Sequence, residues 1–296
     1  MAIELNLSVA TSRLDMPLSH HAGIRMDMLR LDQIHPEVSG NKWFKLKAFL
    51  EEFKSGDYKG IVTFGGAYSN HLSATAAACH YYQIPLIAVI RGEELQQKEN
   101  ATLSFLKSMG ATLIFMERSL FRILAKPENR NQAAQHFPKY LIIPEGGSGR
   151  EGIQGASTIA QYIAADVDTI CLAVGTATTF CGIIEGAAPQ QQILGFAALK
   201  QADYLQSYIK AHTTKTNWIL LTDYHFGGFG KHTAELIDFM NQFRQTQGIP
   251  LDFVYTAKMM YGILDLIQKE HWQNRNILCI HSGGLQGNSS IARLLR

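Results

Sequence analysis

Eight short apolar runs, spaced so that a helix fits between most neighbours, constrain this chain more than any other feature. They lie at 60–64, 85–90, 112–116, 140–143, 169–174, 193–198, 218–222 and 277–281. Each is rich in Ile, Val, Leu or aromatic residues and is bounded by Gly, Pro or polar residues, which marks a strand. The runs are continuous rather than alternating, the pattern of strands covered on both faces. Helical segments are expected at 70–81, at 98–109 with Gly110 as an αL stop, at 152–165 and at 233–245, the last two with apolar spacings of three and four. Strand–helix alternation implies βαβ units and an α/β fold with mostly parallel sheets flanked by helices. A Pro- and Gly-punctuated loop, Pro144 to Gly149, hands one half of the chain to the other.

Composition narrows the function classes. With 46% hydrophobic and 18% charged residues in 296, the chain can bury a core, which excludes disorder, collagen and coiled coil. The length suggests two domains or one large one. A net charge of +2, from 27 basic and 25 acidic residues, offers no electrostatic footprint for nucleic acid or an anionic membrane. No apolar run approaches the ~18 residues a bilayer span needs. The first ten residues carry Glu4 and no basic cluster, so they do not read as a secretory signal. Cys79, Cys171, Cys181 and Cys279 form no C-x-x-C pair and read as buried small hydrophobes in a reducing cytosol. His20, His21, His80 and His281 have no carboxylate or thiol at ligand spacing, so no metal site is expected. A cytoplasmic enzyme or binding protein is the expectation.

Parallel sheets bind ligands beyond the carboxyl ends of their strands, and four segments suit that place. Gly65-Gly66-Ala67-Tyr68-Ser69-Asn70-His71 runs from a strand to a helix start, where Ser69 or Asn70 can cap and the exposed N–H groups can hold a carboxylate or phosphate. An ordinary capped turn is the alternative, and His71 reads either as a site residue or as a satisfied helix-start histidine. Gly175-Thr176-Ala177-Thr178-Thr179 repeats the design with hydroxyl donors, and it is neither a P-loop nor a dinucleotide fingerprint. Ser282-Gly283-Gly284 closes the last strand. Gly40-Asn41-Lys42-Trp43-Phe44-Lys45 delivers two lysines one helical turn apart, either a solvated basic helix end or a phosphate partner and a Schiff-base lysine. No Gly-x-Ser-x-Gly elbow surrounds Ser69, which argues against a hydrolase triad.

In this order the four segments resemble the pyridoxal-phosphate enzymes typified by 1-aminocyclopropane-1-carboxylate deaminase and D-cysteine desulfhydrase. The family's Gly-Asn-Lys-x-x-Lys-Leu falls on Gly40 to Leu46, its Gly-Gly-x-x-Ser-Asn on Gly65 to Asn70, and its Pro-Glu-Gly-Gly-Ser on Pro144 to Ser148. Gly175 and Thr179 match its phosphate loop, Tyr255-Thr256 its C-terminal tyrosine pair, and Ser282 to Gly284 its final Ser-Gly-Gly. The resemblance implies fold type II, like the tryptophan synthase β subunit. A large cofactor-binding domain would comprise residues 1–50 and 155–296, and a small one 51–154, with pyridoxal 5'-phosphate in the cleft. It also implies a homodimer acting on a small amino acid. By position, Lys42 would be the Schiff-base lysine, and Lys45 with residues 175–179 (Gly175, Thr176, Ala177, Thr178, Thr179) would hold the phosphate. Asn70 would meet the ring, while Thr256 and Ser282 would lie near its nitrogen. Ser69, Asn70, His71 and Tyr255 would face the substrate, with Lys42, Ser69 and Tyr255 as the catalytic residues.

Three departures bear on the reaction. The family usually has Arg where this chain has Phe44, and a turn tyrosine where it has Phe229; ring opening in the family uses two tyrosines. Position 256 carries threonine, as in the desulfhydrases, where ring-opening enzymes carry glutamate. A carboxylate beside the pyridine nitrogen keeps it protonated and deepens the electron sink, whereas a hydroxyl does not. The expectation is therefore β-elimination from a small amino acid, giving pyruvate and ammonia, with Lys42 moving the Cα proton. The alternatives are ring opening of 1-aminocyclopropane-1-carboxylate and an amino-acid sensor with little turnover.

Overall fold

The computed structural model describes residues 8–38 and 40–296; most of the N-terminal segment read above as lacking a secretory signal, and Ser39 of the lysine turn, lie outside these residues. Among the described residues there are ten strands: β1 (Ala10–Leu14), β2 (Arg25–Arg30), β3 (Gly60–Gly65), β4 (Leu86–Arg91), β5 (Thr112–Met116), β6 (Tyr140–Ile143), β7 (Thr169–Val174), β8 (Gln192–Ala197), β9 (Trp218–Leu221) and β10 (Asn276–His281). The chain divides into two compact units, one holding His35–Ala156 and the other Ser8–Ile34 with Ser157–Arg296.

The first unit is built on a four-stranded sheet, β5-β4-β3-β6, parallel throughout. All six residues of β3 are buried, as its unbroken apolar run requires. Val62, Phe64, Val89, Phe121, Leu124 and Ile142 form a core on one face. The Asn41–Ser55 helix packs on the Asn70–Tyr81 helix, so residues 35–50 sit in this unit and not with the N-terminal strands. Phe44 and Trp43 are buried there, with Trp43 6.4 Å from the Tyr82 ring. Gly155, on the Arg150–Ser157 helix, lets that helix approach the Asn41–Ser55 helix: a Cβ on it would lie 2.1 Å from the Phe44 carbonyl oxygen.

The second unit is a six-stranded sheet, β1-β2-β10-β7-β8-β9, parallel except for the β1–β2 pair. Its core draws Met26 and Met28 from β2, Phe196 from β8, and Leu236, Met240, Phe243, Met260 and Ile263 from the Ala234–Gln247 and Thr256–Lys269 helices. The eight apolar runs all become strands to within about a residue, whereas β1 and β2 carry no such run. In β2 the buried Met26 and Met28 alternate with Arg25 and Asp27, and Asp27 pairs with Arg13 of β1 and with Arg25. The segment expected as one helix over 152–165 is an α-helix over Arg150–Ser157 followed by a 3-10 turn over Thr158–Tyr162. That change coincides with the passage of the chain from the first unit to the second.

Candidate active site

In the first unit the lysine turn, the Ser-Asn turn and the Pro-Glu-Gly-Gly loop come together. Gly40 has φ +74, a conformation that glycine adopts without strain, and it starts the Asn41–Ser55 helix. Lys42, in the first turn, donates from Nζ to Asn41 Oδ1 at 2.9 Å. Lys45, one turn on, is 2% exposed and donates to the carbonyl of Gly146. Burial, with the Lys42 charge adding to it, holds the Lys45 ammonium well below the ordinary lysine range. Gly146 and Gly147 both have left-handed φ, +69 and +63, which turns the loop across Lys45.

His71 belongs to the same cluster. It is buried, and its Nε2 lies 2.8 Å from Thr63 Oγ1. That hydroxyl spends its one proton on the Ile143 carbonyl at 2.9 Å, so towards His71 it can only accept. The imidazole therefore carries its proton on Nε2 and presents a lone pair at Nδ1, which has no hydrogen-bond partner among the described residues. Burial, then Lys45 and Lys42, lowers its pKa well below the usual value and keeps the ring neutral. A Cβ on Gly147 would come within 3.3 Å of the ring. Ser69 caps the Asn70–Tyr81 helix by accepting from the Leu72 N–H at 3.3 Å, and both Ser69 and Asn70 are half-buried.

In the second unit the threonine turn follows β7. Ala177 has φ +60 and ψ −6, an αL residue directly before the Thr178–Gly186 helix, so successive N–H groups converge as in an anion-binding nest. Thr176 and Thr178 hydroxyls lie 3.2 Å apart, and Thr178 and Thr179 are buried. The Tyr255 ring rests on this turn; a Cβ on Gly175 would lie 3.1 Å from its Cε1 and 3.2 Å from its hydroxyl. The Phe229 edge meets Tyr255 at a centroid distance of 6.0 Å.

Thr256, expected near a ring nitrogen, is wholly buried and turned inward. It donates to Asp252 Oδ2 at 2.6 Å and accepts from the Asp252 N–H at 2.8 Å. The Asp252 carboxylate also accepts the N–H groups of Val254, Tyr255 and Thr256 and so caps this helix. Ser282 is half-buried at the end of β10. Its turn is pinned by His281, whose Nε2 donates to the Pro250 carbonyl at 2.9 Å while Nδ1 accepts from the Gly283 N–H at 3.3 Å.

Thr63, Asp252 and Lys258 escape the sequence reading. Asp252 precedes the helix by four residues, a capping signal, and Lys258 interrupts the apolar stretch Ala257-Lys258-Met259-Met260. The four cysteines are free and buried, with Cys79 pushed up to about 12 by burial. Among the described residues there is no cluster of His, Cys, Asp or Glu able to hold a metal, and no helix long and apolar enough to cross a membrane.

Residues 16–283 match the family model described as pyridoxal-phosphate dependent enzyme. The bifunctional D-cysteine desulfhydrase/1-aminocyclopropane-1-carboxylate deaminase of Arabidopsis thaliana is 26% identical over 294 residues, covering 90% of this chain and 73% of that protein. The D-cysteine desulfhydrase of Klebsiella pneumoniae is 27% identical over 293 residues, covering 90% and 89%. A crystal structure described as an ACC deaminase homologue superposes with a TM-score of 0.81 at 25% identity, over 97% of this chain and 94% of that one.

Proposed function

The chain belongs to the pyridoxal-phosphate dependent enzymes, and from that premise we propose that it is a lyase of a small amino acid, releasing a 2-oxo acid and ammonia by β-elimination of the D-cysteine desulfhydrase kind. Its fold is type II, and its cofactor is pyridoxal 5'-phosphate. When bound, the cofactor supplies an electron sink for bond cleavage at the substrate Cα. The observation that carries the reading is the threonine turn: an αL alanine, two buried threonines and a glycine that leaves room for Tyr255. That donor set suits a phosphate dianion.

In this reading the second unit grips the cofactor and the first is the smaller domain. Lys42 would hold the cofactor, and its Nζ would take and return the Cα proton. Lys45 has N–H groups beyond the one given to Gly146 and, with the amides of 175–179, balances the phosphate charge. Asn70 lies against the ring; Ser69 and neighbouring amides hold the substrate carboxylate at the positive end of the Asn70–Tyr81 helix. Tyr255 covers the substrate, and Ser282 serves the ring nitrogen. Thr256 acts through Asp252, as part of the cap that sets Tyr255, because its hydroxyl proton is already committed. His71, neutral with its lone pair on Nδ1, accepts a hydrogen bond beside the lysine pair.

The absence of a carboxylate at position 256 and of a phenol at Phe229 favours elimination over ring opening. Purified protein loaded with pyridoxal phosphate is assayed with D- and L-cysteine, β-chloroalanine and 1-aminocyclopropane-1-carboxylate. 2-Oxo acid with sulfide from a cysteine supports the reading; ring opening without sulfide release overturns it. Borohydride reduction should fix a pyridoxyl group on Lys42, read by peptide mass, and K42A should take up none. Action as a homodimer in the cytoplasm is part of the proposal, the dimer being tested by light scattering.

A further inference from the structure

Lys258 is buried at 1% exposure two residues into the Thr256–Lys269 helix, and none of the roles assigned above uses it. Its ammonium donates to the Gly228 carbonyl at 2.8 Å and lies 3.5 Å from the Ala198 carbonyl at the end of β8. Placing an ammonium among apolar residues is costly unless something needs it there, and a methionine would fill the same space. The Gly228 carbonyl belongs to a turn in which Phe226, Gly227, Gly228 and Gly230 all have positive φ, between +49 and +111. Residues 222–233 form neither helix nor strand. Within the turn the Gly228 N–H donates to the His225 carbonyl, the Gly227 N–H donates to His225 Nδ1 at 3.0 Å, and the Gly228 carbonyl also accepts the Lys231 N–H at 3.1 Å; Phe226 packs on Tyr261, and Lys258 is the side chain that reaches the turn from the Thr256–Lys269 helix by a hydrogen bond. The turn carries Phe229, 58% exposed, whose edge meets Tyr255.

We propose that Lys258 is a positioning residue, which clamps the 227–230 turn by the Gly228 carbonyl and thereby holds Phe229 against Tyr255. The proposal rests on Tyr255 facing the substrate, as argued above. The charge is what makes the clamp strong, since an ammonium–carbonyl bond is charge-assisted. Burial brings Lys258 down to about 8, opposed by the Asp252 carboxylate, which faces it from the turn before the helix. Lys200 and Lys231, both exposed, lie beside the turn, and Asp223, His225 and His232 are further charged or titratable groups of the same segment, with His225 Nδ1 on the Gly227 N–H.

Tryptic cleavage after Lys231, in the same segment, reads the clamp without reference to activity. Cofactor-loaded wild type, K258M and K258R are compared at pH 7, with an unstructured peptide of the same local sequence correcting for the protease. K258M should be cleaved at least about tenfold faster than wild type. K258R, whose guanidinium can donate to the same carbonyl, should be cleaved about as slowly as wild type. In the elimination assay K258M should lose about tenfold in kcat/KM with unchanged cofactor uptake, and K258R should restore most of it. Equal cleavage of K258M and wild type at pH 7 overturns the clamp. A loosened turn with undiminished kcat/KM overturns the link to Tyr255. Should wild type convert no amino acid at all, the proposed function fails, while the cleavage pattern still decides the clamp.

Discussion

Gly155→Ala adds one methyl group where the Arg150–Ser157 helix lies close against the backbone of the Asn41–Ser55 helix. Its Cβ would stand 2.1 Å from the Phe44 carbonyl oxygen and 3.2 Å from Lys45 Cα. A carbon–oxygen contact settles at about 3.3 Å, so one helix backbone must retreat by about 1 Å. Neither obstacle is a movable side-chain end. Overpacking of this kind costs about 1–3 kcal/mol, and the better helix propensity of alanine returns about 0.5–1. The net expectation is a loss of about 1–2 kcal/mol, a fall of about 3–8 °C in the melting of this unit. The helix that must yield carries Lys42 and Lys45 in its first two turns, and a displacement of 1 Å at a reacting group can cost about a hundredfold in rate. Differential scanning calorimetry, the absorbance of bound pyridoxal phosphate and the elimination assay together measure the effect. G287A is the control, since nothing lies within 4 Å of a Cβ there. A G155A protein that melts with the wild type and keeps its turnover would refute the claim that this contact places the lysines.

Thr63→Val keeps the shape of a wholly buried residue and strands the His71 N–H and the Ile143 carbonyl, at a cost of about 2–4 kcal/mol in urea unfolding; T63S should recover most of it. His71 is neutral when folded and protonates when unfolded below about pH 6.5, so stability falls as pH falls through that value, by up to about 1.4 kcal/mol per pH unit. H71Q should flatten that slope, and nitrogen NMR at neutral pH should find the proton on Nε2. Lys258 titrates at about 8 folded against 10.5 unfolded, so its burial cost is complete below pH 8 and fades towards pH 10.5. Global stability should therefore gain up to about 3 kcal/mol across that window, with K258M lacking the gain. Asp252→Ala removes the acceptor for three backbone N–H groups and the Thr256 hydroxyl, and should cost about 3 kcal/mol while raising hydrogen exchange at residues 254–256.

What the sequence shows and what it hides follow from the same physics. Strands covered on both faces must be apolar without interruption, so β3 and β7 announce themselves. At the sheet margin β1 and β2 mix charge with apolar residues, and Met26 and Met28 look no different from isolated surface methionines. Glycine turns are legible because φ near +60 to +110 leaves little other choice, as at Gly40, Gly147 and Gly283. The proposed site residues are legible for a similar reason: anion binding would call for glycines and hydroxyls at a helix start, and covalent capture for a lysine. The partners that fix those residues are not. Lys45 meets Gly146 across 101 residues, and Thr63 reaches Ile143 across 80. Such pairings exist only once the sheet order is set, and no local pattern encodes them.

Thr256 shows why that matters for function. From sequence it is a hydroxyl beside a tyrosine, equally able to serve a ring nitrogen or a neighbouring carboxylate. Asp252, four residues earlier, gives that hydroxyl a partner: a buried carboxylate that accepts three amide protons also takes the Thr256 hydroxyl proton, at 2.6 Å from oxygen to oxygen. The distinction is chemical. A hydroxyl whose proton is committed can only accept, so any ring nitrogen held against it would have to carry a proton itself, whereas Ser282 keeps a rotatable hydroxyl. Thr256→Val should therefore lower stability by about 1–3 kcal/mol by leaving the Asp252 carboxylate short of a donor, while leaving the absorption spectrum of the bound cofactor unaltered. Ser282→Ala should do the reverse. A spectrum that shifts in T256V and not in S282A would return the ring nitrogen to Thr256.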